Sequence, residues 1–252
     1  MTTHEALARY CIRLGDTSLI LGQRLGEWCG HGPILEEDIA LTNISLDLIG
    51  QTRAFYTVAC EISNNGLDED RLAFLRSERE FQNVLLAEQP NGDFAQTILR
   101  QLLISAFQKL NFEALLHSKH ETVAALAHKS LKEVTYHLRH SADWTIRLGQ
   151  GTEESARRMN EAVGELWMYV DDLFDMDEVD QLLIKEQVGV DAAGLRTAWD
   201  NLINGIMKEA GLSIPEKPFS IRGSRSGKHT EHLGHLLAEM QSLHRAIPGA
   251  EW

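Results

Sequence analysis

Proline is rare in this chain of 252 residues and occurs at only five positions. They are Pro33, Pro90, Pro215, Pro218 and Pro248. Because proline interrupts the hydrogen bonds of a helix interior, the segments between these positions can form long, unbroken helices. Apolar residues in these segments recur at steps of three and four, which is the helical period, and no useful length alternates as a strand would. The sequence therefore predicts an all-α fold.

Four of the predicted helices are long, each with roughly 22–28 residues. The first ends near residue 28, and the second runs from residue 36 to a turn at 64–66. The third covers residues 94–118, and the fourth covers residues 121–148. Helices of this length with crossing connections are typical of four-helix bundles, including the ferritin-like class. Shorter helices fill the rest, among them one amphipathic piece at 68–88. We expect one ferritin-like domain over residues 1–252, with a basic loop at 211–229 and a C-terminal helix at 230–247.

The second long helix carries apolar residues in nearly every direction. A helix that is apolar all round is usually buried in the core of its protein. We therefore expect this helix to be central and buried most of the way round. The residues concerned are Ile39, Ala40, Leu41, Ile44, Leu46, Leu48 and Ile49.

The charge and the cysteines exclude several functions. The net charge is −13, which argues against nucleic acid and against anionic membranes as partners. Cys11, Cys29 and Cys60 are odd in number and widely spaced, which fits reduced thiols in a cytoplasmic protein. The N-terminus lacks the basic head and apolar stretch of a signal peptide, and no apolar run is long enough for a membrane helix.

A ferritin-like bundle raises the question of a di-iron site, which takes Glu-x-x-His motifs from two of its helices. That spacing places the acid and the imidazole on one helix face. None of the eleven histidines has an acid three residues before it. The sequence therefore predicts no metal site, no catalytic residue and no cofactor-binding residue in this chain.

Two acids stand where such a motif would begin. Asp47 is followed three residues later by Gly50, and Glu133 is followed by Tyr136, so the imidazole is missing in both places. Each acid is either the remnant of a metal site or an ordinary helix residue. His137 lies in the apolar seam of its helix, which is usual for a hydrogen-bonded core histidine. It could also pair with the acids, so we predict a metal-free polar cluster of Asp47, Glu133 and His137.

Two further segments could bind ligands. The densest histidine cluster is HTEHLGH at 229–235, whose spacing allows transition-metal binding on a helix, although a surface helix cap with incidental histidines is favoured. The basic loop includes Lys217, Arg222, Arg225 and Lys228, which could hold phosphate such as a coenzyme A tail. It has no glycine-rich phosphate motif.

Seven blocks of the sequence carry a resemblance to a known family. They are RLGD at 13–16, QRLGEWCGH at 23–31, NISLDLIGQ at 43–51, EQPNGDFA at 88–95, YHLR at 136–139, HTEHLG at 229–234 and AEMQ at 238–241. These blocks resemble the PaaC family, the structural subunits of bacterial 1,2-phenylacetyl-CoA epoxidases (ring 1,2-phenylacetyl-CoA monooxygenases). The resemblance covers essentially the whole chain, in order.

The resemblance implies a role within a complex. In that family's complex, the ferritin-like subunit PaaA holds the di-iron centre, PaaB bridges, and PaaE is the NADPH-dependent reductase with flavin and an iron–sulfur cluster. The complex epoxidises the aromatic ring of phenylacetyl-CoA with oxygen. The resemblance therefore implies a non-catalytic subunit that supports PaaA. Three alternatives stay open: a free-standing metalloprotein, a contribution to CoA-ester binding, and a homodimer of the isolated chain.

Overall fold

The computed structural model describes residues 1–64, 66–216 and 219–249, so Lys217 and Pro218 of the basic loop lie outside the described residues. Within these ranges every regular element is a helix and no strand occurs, which confirms the all-α prediction. The chain divides into two compact units. The terminal unit comprises residues 1–89 and the C-terminal segment from residue 223, and the central unit comprises residues 90–222.

The terminal unit is built on a pair of long antiparallel helices, α1 (Thr3–Gly26) and α2 (Leu35–Ser63). A capping box formed by Thr2 and Glu5 begins α1. Asn64 ends α2 in the left-handed conformation, with φ 44°. The two helices have 24 and 29 residues, close to the predicted lengths.

Close backbone approach fixes the register of this pair. The Ser45 hydroxyl donates to the carbonyl oxygen of Gly22 at 2.7 Å, and the Thr52 hydroxyl lies 3.2 Å from the carbonyl oxygen of Gly15. These two contacts run in opposite directions along the two helices, as an antiparallel pair requires. The glycines leave room for the second helix, because neither carries a Cβ atom.

The segment after α2 differs from its prediction. In place of one amphipathic helix at 68–88, the chain forms α3 (Glu69–Phe74), a 3₁₀ turn (Glu78–Glu80) and α4 (Leu85–Glu88). The single-helix prediction is wrong because tertiary hydrogen bonds hold the intervening backbone. The amide of Gln82 donates to the Asp16 carboxylate at 2.8 Å, which a continued helix would not allow.

The prediction that α2 is buried most of the way round is also wrong. Leu35, Ile39 and Leu46 are 71, 51 and 63% exposed, although residues on the opposite side of the helix are fully buried. An apolar face therefore stays open to solvent in the single chain.

The central unit contains the other pair of long helices, α5 (Phe94–Leu115) and α6 (Glu121–Gly149), with 22 and 29 residues as predicted. The shorter helices α7 (Glu153–Leu166), α8 (Glu178–Lys185) and α9 (Arg196–Glu209) complete it. The indole N–H of the fully buried Trp199 on α9 donates to the carbonyl oxygen of Leu103 at 3.1 Å, which ties α9 to α5.

The predicted C-terminal helix is two helices, α10 (Glu231–Met240) and α11 (Ser242–Ala246). In the described part of the preceding loop, the only regular element is a 3₁₀ turn at Ser224–Ser226. In the described ranges, no helix combines the length and the apolar character needed to cross a membrane.

Candidate functional site

The three residues predicted to form a polar cluster lie on two long helices. Asp47 is half-buried on α2 of the terminal unit. Glu133 and His137 are one turn apart on α6 of the central unit, where Glu133 is half-buried and His137 is fully buried. The interior position predicted for His137 is therefore observed, while the cluster itself stays a prediction.

The two positions that would carry imidazole in a di-iron motif are exposed. A Cβ atom at Gly50 would meet nothing within 4 Å, and Tyr136 is 40% exposed. Among the described residues, no group of three or more His, Cys, Asp or Glu side chains is placed to hold a metal ion. Two buried polar networks lie elsewhere in the terminal unit.

One of these is a buried ion pair in the terminal unit. Arg76 donates to the two carboxylate oxygens of Asp16 at 2.5 and 3.1 Å, and the Tyr56 hydroxyl donates to the same carboxylate at 2.5 Å. The Asp16 side chain is fully buried, and the guanidinium of Arg76 lies 4.1 Å from the ring centre of Phe81. The site joins α1, α2 and the segment after α3 through charge-assisted hydrogen bonds.

Burial and charge set the protonation of this site. Burial and the nearby Asp16 charge raise the pKa of Tyr56 well above its usual value, so the phenol stays protonated and donates. Burial disfavours the charged form of Arg76, but the charge of Asp16 and its hydrogen bond to the guanidinium outweigh burial and raise the pKa of Arg76. The Tyr56 phenol and the Arg76 guanidinium therefore both keep their protons across the physiological pH range.

A second site holds the C-terminal segment. One carboxylate oxygen of Glu88 accepts from the backbone N–H and the hydroxyl of Thr230, at 2.6 and 2.8 Å. The other lies 2.8 Å from Nδ1 of His229 and accepts from Asn83 at 2.9 Å. Glu88 is fully buried, and its backbone carbonyl accepts from Arg24. We call this arrangement of Glu88, His229, Thr230 and Asn83 the Glu88 clamp.

The clamp corrects the expectation for the histidine-rich segment. We expected a surface cap with incidental histidines, but the His229 side chain is only 3% exposed. Burial lowers the pKa of His229, yet the hydrogen bond and charge of Glu88 outweigh it, so the pKa is raised. In the same segment His232 is half-buried and His235 is exposed. Of the three histidines in this segment, His229 is the one that makes the structural contact in the clamp.

The basic loop is partly neutralised at Arg222, which lies in the central unit. Arg222 lies 3.5 Å from the carboxylate of Asp171 and 3.7 Å from that of Asp175. Asp171 also accepts from Arg196 at 2.6 Å. Burial raises the pKa of Asp171, but its arginine partners outweigh this and the pKa is lowered. This arginine therefore engages carboxylates of its own chain.

Buried polar side chains run along α5. The amide of Gln101 donates to Ser105 at 2.8 Å, and both side chains are fully buried, with Gln108 one turn further on. The Oε1 atoms of Gln101 and Gln108 meet no hydrogen-bond donor among the described residues. These amides and hydroxyls make a polar, uncharged interior on this helix, which offers iron no carboxylate.

The two pairs of long helices define the class: a ferritin-like helical protein, as the sequence predicted. The chain belongs to the family described as "Phenylacetic acid catabolic protein" (PaaA_PaaC), which it matches over residues 1–252. It is similar to the C subunit of the 1,2-phenylacetyl-CoA epoxidase of Escherichia coli (strain K12). The two are 49% identical over 246 residues, which is 98% of this chain and 99% of that protein. The resemblance to the PaaC family is confirmed.

Reasoning from the residues missed the central acids of the two buried networks, Asp16 and Glu88. One signal could have found them, because each lies in a block that carries the family resemblance: Asp16 in RLGD, Glu88 in EQPNGDFA, and His229 in HTEHLG. Two of these separate blocks meet in the Glu88 clamp.

Proposed function

We propose that this chain is a non-catalytic structural subunit of a phenylacetyl-CoA epoxidase, acting in the cytoplasm in aerobic phenylacetate degradation. In this role it binds and stabilises the di-iron catalytic subunit PaaA. The observation that carries the proposal is the 49% identity to the C subunit of such an epoxidase, over nearly the full length of both chains. PaaB and the reductase PaaE are the further partners.

The possible metal ligands of this chain support the part of the proposal that makes it a non-catalytic subunit. Oxygen activation at a di-iron centre needs carboxylates and imidazoles that converge on one metal pair. Here no histidine follows an acid at the required spacing, and both imidazole positions of the partial motifs are exposed. The described residues do not fit a di-iron centre. In this proposal PaaA holds the iron and PaaE holds the flavin and the iron–sulfur cluster, as the family resemblance implies.

The buried networks support a scaffolding role. A subunit that holds another's active-site helices in place must itself be rigid, because a supporting shell that moves by about 1 Å weakens the site it supports. The Asp16–Arg76 ion pair and the Glu88 clamp fix the loops of the terminal unit against α1 and α2. The interface between the subunits of a permanent hetero-complex commonly buries more than about 2,000 Å² of accessible surface.

Reconstitution tests the requirement for this chain. Purified PaaA and PaaE, with PaaB, are assayed for NADPH-dependent epoxidation of phenylacetyl-CoA in the presence and absence of this chain. We expect turnover only when it is present, and none from this chain with the reductase alone. Full activity without it would contradict the structural requirement.

Metal analysis tests the non-catalytic assignment separately. After expression in iron-rich medium, we expect the purified chain to hold no stoichiometric iron or manganese. About two irons per chain would favour the alternative of a free-standing ferritin-like metalloprotein.

Equilibrium dialysis against phenylacetyl-CoA tests the other alternative, a contribution of the basic loop to CoA-ester binding. We expect no saturable binding to the isolated chain.

A further inference from the structure

One face of α6, in the central unit, is basic and open to solvent. Its exposed side chains are Lys129, Lys132, Tyr136, Arg139 and Arg147, and we call this set the α6 stripe. Steps of three, four, three and eight residues keep these side chains on one side of the helix. Over 18 residues, at 1.5 Å each, the stripe is about 27 Å long. It is a positive surface on a chain whose net charge is −13.

The cations of the α6 stripe form no ion pair with a described residue. Between residues 129 and 147, all of which the structure describes, Asp143 is the one exposed acid of the helix. Other surface arginines of the central unit are paired. Arg157 and Arg158 both bind Glu154, at 2.8 and 2.7 Å, and Arg196 binds a carboxylate at 2.6 Å. The α6 stripe therefore keeps its positive charge available to a partner.

Aromatic rings support the two arginines of the stripe. The guanidinium of Arg139 lies 5.7 Å from the ring centre of Tyr136, and that of Arg147 lies 5.5 Å from the ring centre of Trp144. Such cation–π contacts orient a guanidinium and leave its N–H groups able to donate. An arginine that is already oriented binds a carboxylate through two parallel hydrogen bonds and loses less freedom on binding. The stripe is therefore suited to carboxylates on a partner.

The chemistry of the stripe favours an acidic protein that binds transiently. Permanent interfaces are large and rich in apolar surface, whereas electron-transfer complexes are small and weak. Charged groups at the rim of an interface act mainly on the rate of encounter and on orientation. Because the chain as a whole is acidic, its surface repels an acidic partner while the stripe attracts it, so the partner is directed to α6.

We propose that the α6 stripe is the docking surface for an acidic face of the reductase PaaE. This inference rests on the proposed function, which makes the reductase a partner of this chain. Among the partners in that proposal, the reductase is the one that delivers electrons, a role that small and charge-steered interfaces serve. The stripe holds the reductase against the complex and carries no electron itself.

Binding of purified PaaE to the assembled complex of PaaA, PaaB and this chain tests the docking surface. Lys132→Glu and Arg139→Glu are combined in one variant, the stripe variant, which reverses two charges in the middle of the stripe. Biolayer interferometry at low salt should show the dissociation constant for PaaE rising by about 10-fold or more, because like charges then face each other. The difference from wild type should shrink as salt is added, since exposed charges are screened.

The matched control carries Lys185→Glu and Lys208→Glu, at two exposed lysines on α8 and α9 of the same unit. It changes the net charge by the same amount and should bind PaaE within about twofold of wild type, because these charges lie outside the stripe and are screened. Both variants should keep the helicity of wild type in circular dichroism. Both should also co-elute with PaaA in size exclusion.

Turnover separates docking from assembly. In NADPH-dependent epoxidation, the stripe variant should raise the KM for PaaE on the order of 10-fold. Its kcat at saturating PaaE should stay near that of wild type, because the assembled complex is intact once the reductase is bound.

Several results would overturn the docking proposal. One is a stripe variant that binds PaaE as tightly as wild type, and another is a control that loses as much affinity. Loss of co-elution with PaaA in the stripe variant would place the stripe in the permanent interface. Binding of the wild-type complex to DNA or to phosphatidylserine vesicles, abolished in the stripe variant, would assign the stripe to another polyanion. The proposed function fails by a different result, which is full turnover of the complex without this chain.

Discussion

His229 lies with Nδ1 2.8 Å from a carboxylate oxygen of Glu88, and the other nitrogen of its ring lies 2.8 Å from the carbonyl oxygen of Phe81. Both partners are hydrogen-bond acceptors when Glu88 is ionised, so both ring nitrogens must donate. A neutral imidazole has only one N–H and can satisfy only one of them. The contact therefore selects the imidazolium form, and the C-terminal segment is held by a buried ion pair.

The stability of the chain should consequently depend on pH through His229. Its pKa in the folded chain is raised, whereas an unfolded histidine titrates near about 6.5. The stabilisation is therefore complete below about pH 6.5 and is lost as the pH rises through the folded-state pKa. Urea unfolding from about pH 6 to 9 should show that the difference in unfolding free energy between wild type and His229→Gln shrinks with rising pH.

The control for this experiment is His235→Gln, since His235 is exposed on α10, the helix that follows His229. Its difference from wild type should stay near zero and flat over the same pH range. A His229→Gln difference that is equally flat would show that the histidine is neutral in the clamp.

Asp16 should be the most costly single carboxylate to remove. Asp16→Asn keeps the shape of the side chain but leaves the largely buried Arg76 without its counter-charge. We expect a loss of about 3–5 kcal/mol in the free energy of unfolding, measured with urea, because an uncompensated buried charge is expensive. Tyr56→Phe removes one hydrogen bond from the same carboxylate and should cost less, about 1–3 kcal/mol. Equal losses in the two variants would contradict a dominant ion pair.

The four long helices could be predicted because local signals agree over their whole length. The helical period, the turn residues that end the helices and the absence of proline all point to the same bounds for α1, α2, α5 and α6. The structure matches these bounds within a few residues. The segment at 68–88 has the same period. It breaks because Asp16, 60 residues before Arg76 and 66 residues before Gln82, binds the Arg76 side chain and the amide of Gln82.

The buried polar sites could not be predicted for the same reason. Glu88 lies 141 residues before its partner His229, and no spacing in the sequence encodes that contact. The burial of α2 was predicted wrongly for a different reason. Its residues have the pattern of a buried helix, but that pattern does not say whether its apolar face is covered by the same chain or by another chain.

Gly15 should tolerate no side chain, although it lies in a helix interior. A Cβ atom there would lie 2.5 Å from Cδ1 and Cε1 of the Tyr56 ring, which its hydrogen bond to Asp16 holds in place. Gly15→Ala should therefore lower the melting temperature and cost about 1–3 kcal/mol through overpacking. Gly164→Ala is the matched control on α7, where nothing lies within 4 Å, and it should stabilise by about 0.5–1 kcal/mol. A stabilising Gly15→Ala would show that the ring can move aside.

Asp47 tests the polar cluster predicted from the sequence. If Asp47 satisfies buried partners that include His137, Asp47→Ala should lower the unfolding free energy by about 1–3 kcal/mol, because those partners lose a hydrogen bond. Asp143→Ala, at an exposed acid of α6, is the control and should change it by less than about 0.5 kcal/mol. A double-mutant cycle with His137→Gln then decides whether the two residues are coupled, since contacting groups usually show about 0.5–3 kcal/mol of interaction energy. Strict additivity of the two changes would contradict the cluster and leave Asp47 as an ordinary helix acid.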